Sequence, residues 1–406
     1  MLEKLLCSKE SKIALIYSVT YFFTILGFNQ NYSYLVFLLG ILFYELCSIQ
    51  LQSRGRGKRG KMNHKNSSNK MVSIVIPIFN EENNIRDLLN SLIGQTYINI
   101  EIILVDDGSQ DESLEICKRF SAEDSRIIVI SKKNGGVSSA RNVGIEYSKG
   151  EYICFFDGDD YIEESLVSKL VSTIENTRSD VTFTGYNLLY GNRKIPRQNS
   201  VNSGVYSSEE LLTTVLDNGT MSGIQFGSAC TSIYRLDIIN AFKIRFNENI
   251  KINEDGIFNI EFILASDLVS INNDIKLYNY RQSSLNKRDY EFLKDNIEIA
   301  TIYIENNFRE VLPNFETQIA SRKVSESLWL ILNLCQQENI KYSGIKEELS
   351  RILSSVKESP VEKFVVENEL GKHKLVYYYL IRNGMSRTIY FLTRYIVPMF
   401  TRIMNR

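Results

Sequence analysis

The sequence predicts an α/β fold with a mostly parallel sheet, a membrane hairpin before it and a helical region after it. Three observations point there. From Val72 onward, short β-branched runs alternate with single amphipathic segments of about ten to fifteen residues, the pattern of a parallel sheet covered on both faces. Two apolar runs lie within the first 52 residues, and beyond residue 285 the periodicity is helical. The expected division is therefore a hairpin (1–52), a basic linker (53–70), an α/β domain (71–285) and a helical C-terminal region (286–406).

Residues 13–28 are apolar and uncharged, and residues 32–51 form a second run in which Glu45 is the one charged side chain. About 20 such residues cross about 30 Å of hydrocarbon, so the second run is long enough and the first is marginal. Lys4 and Lys12 precede the pair, Arg54, Arg56, Lys58, Arg59 and Lys61 follow it, and the turn Asn29-Gln30-Asn31 is uncharged. Basic flanks stay on the cytoplasmic side, so both ends of the hairpin are expected in the cytoplasm and the α/β domain with them, at the cell membrane. A signal peptide is a competing reading, although no small-residue cleavage site follows Phe28. A hairpin dipping into one leaflet is a third, and it leaves the domain on the same side. The linker holds Gly, Ser, Asn and basic residues without an acid, as suits a flexible segment beside anionic headgroups.

Within the α/β domain, residues 72–78 are a strand too short to be a helix. Residues 82–94 place Ile85, Leu88, Leu89 and Leu92 on one helical face and end at glycine. A strand over 100–105, a helix over 111–120, a strand over 126–131, a helix over 137–147 and a strand over 150–156 complete a Rossmann-like half. Between 163 and 253 the pattern is less regular, with a strand expected over 180–186 and a helix over 207–216. Helices over 290–308, 315–334 and 345–356 follow, with Trp329, the one tryptophan, expected in the core. Residues 371–406 carry seven Lys or Arg and no acid among tyrosines and aliphatic residues. They read either as an amphipathic helix on an anionic membrane surface or as a helix packed on the protein with its arginines outward.

Composition narrows the chemistry. A net charge of −1 gives no reason to expect nucleic acid as a partner. Six cysteines without C-x-x-C spacing read as reduced thiols, not as a disulfide framework or a zinc site. The two histidines, His64 and His373, lie in the end regions, which leaves carboxylates or a metal to handle protons and charge. Acids sit where ligands collect in such sheets, after the strands: Asp106-Asp107-Gly108-Ser109 after the second and Asp157-Gly158-Asp159-Asp160 after the fourth. Each cluster alone could be turn chemistry. Together, at neighbouring strand ends, they repel unless a cation joins them, and Mg²⁺ or Mn²⁺ beside substrate phosphates fits.

Six stretches resemble, in order and spacing, the family 2 glycosyltransferases of GT-A fold. They are residues 72–81, residues 103–109, Asn134-Gly135-Gly136 through Asn142, residues 155–160, Asn253-Glu254-Asp255-Gly256-Ile257-Phe258, and Tyr278-Asn279-Tyr280-Arg281-Gln282. The resemblance implies a nucleotide-sugar donor, expected to be UDP-linked, and a divalent metal. It places Phe79 against the nucleotide base with Pro77 and Glu81 shaping the pocket, and Asp107, with Asp106, on the base or ribose. Arg141 falls near the base and diphosphate. Asp157 and Asp159 match D-x-D, the first near the ribose and the metal, the second on the metal. Asp255 matches the catalytic base, with Glu254 beside it; the alternative for both is a helix N-terminal charge. Residues 227–235 resemble the segment bordering the acceptor pocket, where Cys230 reads as packing. The processive signature Q-x-x-R-W is missing, which suggests one sugar per encounter. The function expected is inverting transfer to a lipid-linked saccharide in surface polysaccharide assembly. Polyprenyl-phosphate sugar synthesis and a non-catalytic nucleotide-sugar-binding scaffold are the alternatives.

Overall fold

The computed structural model describes residues 70–190, 193–219, 223–281, 289–337, 340–358 and 372–398. The expected hairpin, and the linker apart from Lys70, lie outside them; among the described residues no helix is long and apolar enough to cross a membrane. The chain divides into two compact units, one spanning Lys65–Asn333 and the other including Leu334–Arg406.

The first unit opens with the expected alternation: β1 (Val72–Ile78), α1 (Ile85–Ile93), β2 (Ile100–Asp106), α2 (Ser113–Glu123), β3 (Ile127–Ser131), α3 (Val137–Tyr147) and β4 (Tyr152–Phe155). Strand side chains alternate between faces, and these strands are apolar on both. Ile74 and Ile76 of β1, Ile102 and Leu104 of β2 and Cys154 of β4 join one core, beneath Leu88 and Leu92 of α1. Val75, Ile103, Val105, Ile153 and Phe155 join the other, against Ala140 and Ile145 of α3. Helix α3 approaches β1 so closely that a Cβ on Gly144 would lie 2.1 Å from Val75 Cγ1. The parallel register sets Ile78 beside Asp106 and Val75 beside Phe155, so the chain leaves β1, β2 and β4 at one edge.

Then follow β5 (Tyr161–Ile162), α4 (Leu166–Thr177), β6 (Val181–Thr184), β7 (Tyr186–Tyr190), β8 (Arg193–Arg197), β9 (Gly204–Ser207), α5 (Ser208–Leu212), β10 (Ser232–Arg235), α6 (Leu236–Ala241), α7 (Glu254–Leu264), β11 (Leu268–Asn272) and β12 (Tyr278–Arg281). The main sheet has the order β3-β2-β1-β4-β10-β6-β11-β9, and β5-β12-β7-β8 form a smaller one. The main sheet is mixed, and six of its eight strands run the same way, in keeping with the expectation of a mostly parallel one. Strand β10 runs antiparallel to both β4 and β6, and β9 antiparallel to β11. The added strands are four or five residues long, too short for periodicity to reveal their direction.

Helices α8 (Tyr290–Phe308) and α9 (Phe315–Gln336) follow. Ala300, Ile304, Phe308, Phe315 and Ile319 share the core of α3 and α7, so residues 289–333 belong by contact to the first unit. Trp329 is 39% exposed, against expectation. The buried stripe of α9 is Val324, Leu328, Ile331 and Cys335, at helical spacing, and Trp329 lies beside it.

In the second unit, α10 (Tyr342–Glu358), α11 (Lys372–Arg382) and α12 (Ser386–Phe391), with a π-helical turn over Leu392–Ile396, pack on one another. Gly384 (φ +63°) ends α11, with hydrogen bonds from Gly384 N to Ile381 O and Met385 N to Leu380 O closing the helix. The described part of the basic tail is thus two helices rather than one. Tyr377, Leu380, Ile381, Ile389 and Leu392 are buried, while Tyr379, Phe391 and Tyr395 are exposed.

Candidate active site

At the edge where β1, β2 and β4 end, two turns are laced together. Phe79, just past β1, is 45% exposed. Asn80 follows at φ +57°, its N–H donating to Ser109 Oγ (3.1 Å) and its Oδ1 accepting from Gln110 N (2.8 Å). Glu81 N donates to Ser113 Oγ at 2.7 Å. Burial raises the Glu81 pKa, the Asn84 hydrogen bond opposes this, and Asp111 and Asp157 add to it. Pro77 is half-buried in β1.

Asp106 and Asp107 are both buried. Asp106 accepts from Ser109 N (3.1 Å) and Ser131 Oγ (2.9 Å), which is turn chemistry. Asp107 accepts from Lys132 Nζ (2.5 Å), Gly135 N (2.9 Å) and Gly136 N (2.7 Å). It fixes the Asn134-Gly135-Gly136 loop, whose Gly136 (φ +91°) caps α3.

One turn into α3, Arg141 is 3% exposed and bridges two sequence-distant acids. Its Nη1 donates to Asp255 Oδ1 at 2.5 Å and its Nη2 to Asp157 Oδ1 at 2.9 Å. The guanidinium stacks over Phe246, 5.1 Å from the ring centroid. Burial disfavours its charge, but Asp255 and Asp157 outweigh that and hold its pKa well above the ordinary value. The second oxygen of Asp157 accepts from Cys230 Sγ at 3.1 Å. The second oxygen of Asp255 accepts from Ala229 N at 2.9 Å. Asn253, at φ +67°, is the N-cap of α7, so Asp255 sits inside the first turn with its carboxylate turned to Arg141 and Ala229. Burial raises its pKa, Arg141 and Ala229 oppose this, and Asp157 adds to it; the net shift is upward. Glu254 is pushed up to about 7, chiefly by burial and then by Asp255.

Asp159 of the D-x-D pair and its neighbour Asp160 differ in their partners. Asp160 is fully buried, accepting from Tyr278 Oη (2.5 Å) and Arg281 N (2.7 Å) of β12. Tyr278 Oη also accepts from Asp157 N at 3.2 Å. Asp159 accepts a hydrogen bond from no other described residue and joins no ion pair among them; burial, with Asp157 and Glu81 behind it, pushes its pKa up to about 6 against the opposing pull of its own backbone amide and Arg281. A carboxylate held among other acids without a partner is a fitting ligand for a divalent ion. No cluster of three or more His, Cys, Asp or Glu among the described residues could hold one unaided, so Asp159 and Asp157 would supply one or two oxygens and a bound diphosphate the rest.

The structure thus gathers Arg141, Asp157 and Asp255 into one contact network, with Asp159 and Glu254 electrostatically coupled to it. It adds Cys230, the Ala229 amide, Tyr278 and Asp160, which sequence reasoning did not single out as site residues. All four lie within quoted stretches: Tyr278 and Asp160 in those of the family resemblance, and Ala229 and Cys230 in residues 227–235, where Cys230 read as packing. A cavity of 620 Å³ lies at the other end of β4, lined by Lys70, Lys149, Glu175 and Arg235 among others, and none of the site residues reaches it.

Residues 73–242 match the family model described as Glycosyl transferase family 2. The glycosyltransferase GlyG of Streptococcus pneumoniae serotype 4 is 30% identical over 235 residues, which are 56% of this chain and 78% of GlyG. The chain belongs to glycosyl transferase family 2. GlyA of the same organism is 32% identical over 221 residues, 53% of this chain and 31% of GlyA. The minor teichoic acid biosynthesis protein GgaB of Bacillus subtilis is 34% identical over 198 residues, 48% of this chain and 21% of GgaB. The chain therefore spans less than a third of these two longer relatives. Among solved structures, S. aureus TarS 1–349 in complex with UDP-GlcNAc shares the fold, with a TM-score of 0.56 at 21% identity, covering 79% of this chain and 91% of that one.

Proposed function

We propose that this family 2 member is an inverting, metal-dependent glycosyltransferase that moves one sugar from a UDP-linked donor to a lipid-linked saccharide in cell-surface polysaccharide assembly. The observation that carries the reading is the carboxylate of Asp255, bound by Arg141 and Ala229 N across from Asp157. Sugar transfer needs a base on the acceptor side and charge stabilisation on the leaving side, and the arrangement provides acids for both. The UDP-GlcNAc complex of TarS supports a UDP-linked donor. The teichoic-acid role in the name of GgaB supports a surface-polymer acceptor. The lipid link, and a site facing the cytoplasm at the membrane, rest on the apolar runs and basic flanks of residues 1–70.

Asp159, with Asp157, would hold Mn²⁺ or Mg²⁺, which when bound supplies positive charge beside the departing diphosphate. The chain's own residues do the rest. Phe79 offers an exposed ring for the base to stack on. Asp107 orders the glycine loop that starts α3. Asp255 takes the proton from the acceptor hydroxyl as it attacks the sugar carbon from the face opposite the leaving group. Burial makes Asp255 more basic than an ordinary aspartate, and Arg141 holds its carboxylate in one orientation.

Asp255→Asn tests this. Asn keeps the volume but cannot take a proton, so turnover should fall on the order of 10²–10⁴-fold while UDP affinity holds. The measurements are UDP release from UDP-GlcNAc, UDP-glucose and UDP-galactose, and calorimetry with UDP and Mn²⁺. A variant keeping more than about a tenth of wild-type turnover would remove Asp255 from the role, and Glu254 would be tested next.

A further inference from the structure

We infer that helix α9 sets the position of the Asp255 carboxylate through residues 212–219 and 223–230, making Ser321 and Ser325 positioning residues for the reaction. The inference rests on the reading of Asp255 as the base. It also extends the working part of the enzyme past residue 242, where the family match ends.

The anchor is Asp217, which is 2% exposed. Among the described residues it accepts four hydrogen bonds: from Gly219 N and Gly223 N at 2.8 Å each, from Ser321 Oγ at 2.7 Å and from Ser325 Oγ at 2.6 Å. A carboxylate buried among neutral donors is tolerated only when its lone pairs are filled. Two of the four donors come from α9, one turn apart on the same face. Gly219 (φ +83°) and Gly223 (φ +73°) adopt left-handed backbone that strains other residues, and both turn their amides to Asp217. One turn earlier on α9, Gln318 Oε1 accepts from Leu216 N (2.9 Å) and Gln318 Nε2 donates to Leu212 O (2.7 Å). Three residues of one helix therefore grip the chain at Asp217 and just before it, and the Asp217 carboxylate carries that grip on to Gly219 and Gly223.

From this grip the path to the base is short. Ile224, next to Gly223, packs directly on Gly256, the neighbour of Asp255: a Cβ on Gly256 would lie 2.8 Å from Ile224 Cγ2. Five residues on, Ala229 N donates to Asp255 Oδ2. Asp255 is thus oriented by two hands, Arg141 from α3 and the Ala229 amide from a segment that α9 holds. A general base works only within a narrow geometry, so what fixes the segment fixes the base.

The test is Ser321→Ala combined with Ser325→Ala in the full chain. Hydrogen exchange should quicken about tenfold or more across residues 223–230 and stay unchanged at Gly135 and Gly136. Turnover on whichever of UDP-GlcNAc, UDP-glucose or UDP-galactose the wild type cleaves fastest should fall about tenfold or more, with donor KM and UDP affinity within about twofold. Unchanged exchange at 223–230, or quickened exchange with unchanged kcat, overturns the inference. The exchange result does not depend on Asp255 being the base, whereas Asp255→Asn does, so failure of either is separable. If the double variant does not fold, Gly256→Ala decides. Its new methyl meets Ile224 and should cost turnover, Ile224→Ala in the same chain should restore it, and no restoration overturns the inference.

Discussion

At the residue scale the site contrasts partnered with unpartnered acids. Asp106, Asp107 and Asp160 have their oxygens filled by hydrogen bonds from other residues, whereas Asp159 accepts none from any other described residue. Chelation, or Asp159→Ala, should therefore weaken UDP binding and abolish transfer, because the diphosphate loses its counter-charge. Unchanged, metal-independent binding of UDP by the variant in calorimetry would refute the ligand role. Glu254 yields a second expectation. Its folded-state pKa is about 7, raised mainly by burial. A raised carboxyl favours the neutral form in the fold, so its contribution to stability is intact below its unfolded value. It is lost as pH rises from there through about 7. Glu254→Gln should then stabilise the chain at pH 8 on the order of 1–3 kcal/mol and give no gain near pH 4.5. Thermal unfolding of both chains across that range checks it, and an equal gain at every pH would assign the effect to packing.

At the element scale, helix α3 is fixed at three points. Gly136 begins it, Arg141 bridges the two acids from its centre, and Gly144 lies on Val75 of β1. Gly144→Ala should cost about 1–3 kcal/mol through overpacking, and Val75→Ala in the same chain should recover part of it. Denaturant unfolding measures both, and an undestabilised Gly144→Ala would show that α3 can shift. A shift would also move Arg141, so the same variant should lose turnover. The first half of the fold was legible here: residues 137–147 were expected as a helix and are one, since its apolar spacing is local. That Arg141 is buried was not legible, because its partners lie 16 and 114 residues away.

At the scale of the whole molecule, the unit that holds the candidate site reaches Asn333, and helices α8 and α9 share its core. How the chain meets a membrane is a proposal resting on the first 70 residues. Cysteine labelling in intact cells at Asn31 and Ser67 tests it. Asn31 should be external or buried in the bilayer and Ser67 protected; external labelling at Ser67 would overturn both the hairpin and the cytoplasmic site.

The sequence by itself determined the β1–β4 alternation, the burial of both sheet faces and the placement of acids after two strands. Each of these is written in the spacing of neighbouring residues, and spacing decides which face of an element meets water. The tertiary structure alone decided that β10 enters the sheet antiparallel between β4 and β6. It alone joined Arg141 to Asp157 and Asp255, Tyr278 to Asp160 and Asp217 to α9. Periodicity tells a strand or helix that it will be covered, but not by what. A buried carboxylate's partner can come from any part of the chain that folding brings within about 3 Å, and no local pattern records it.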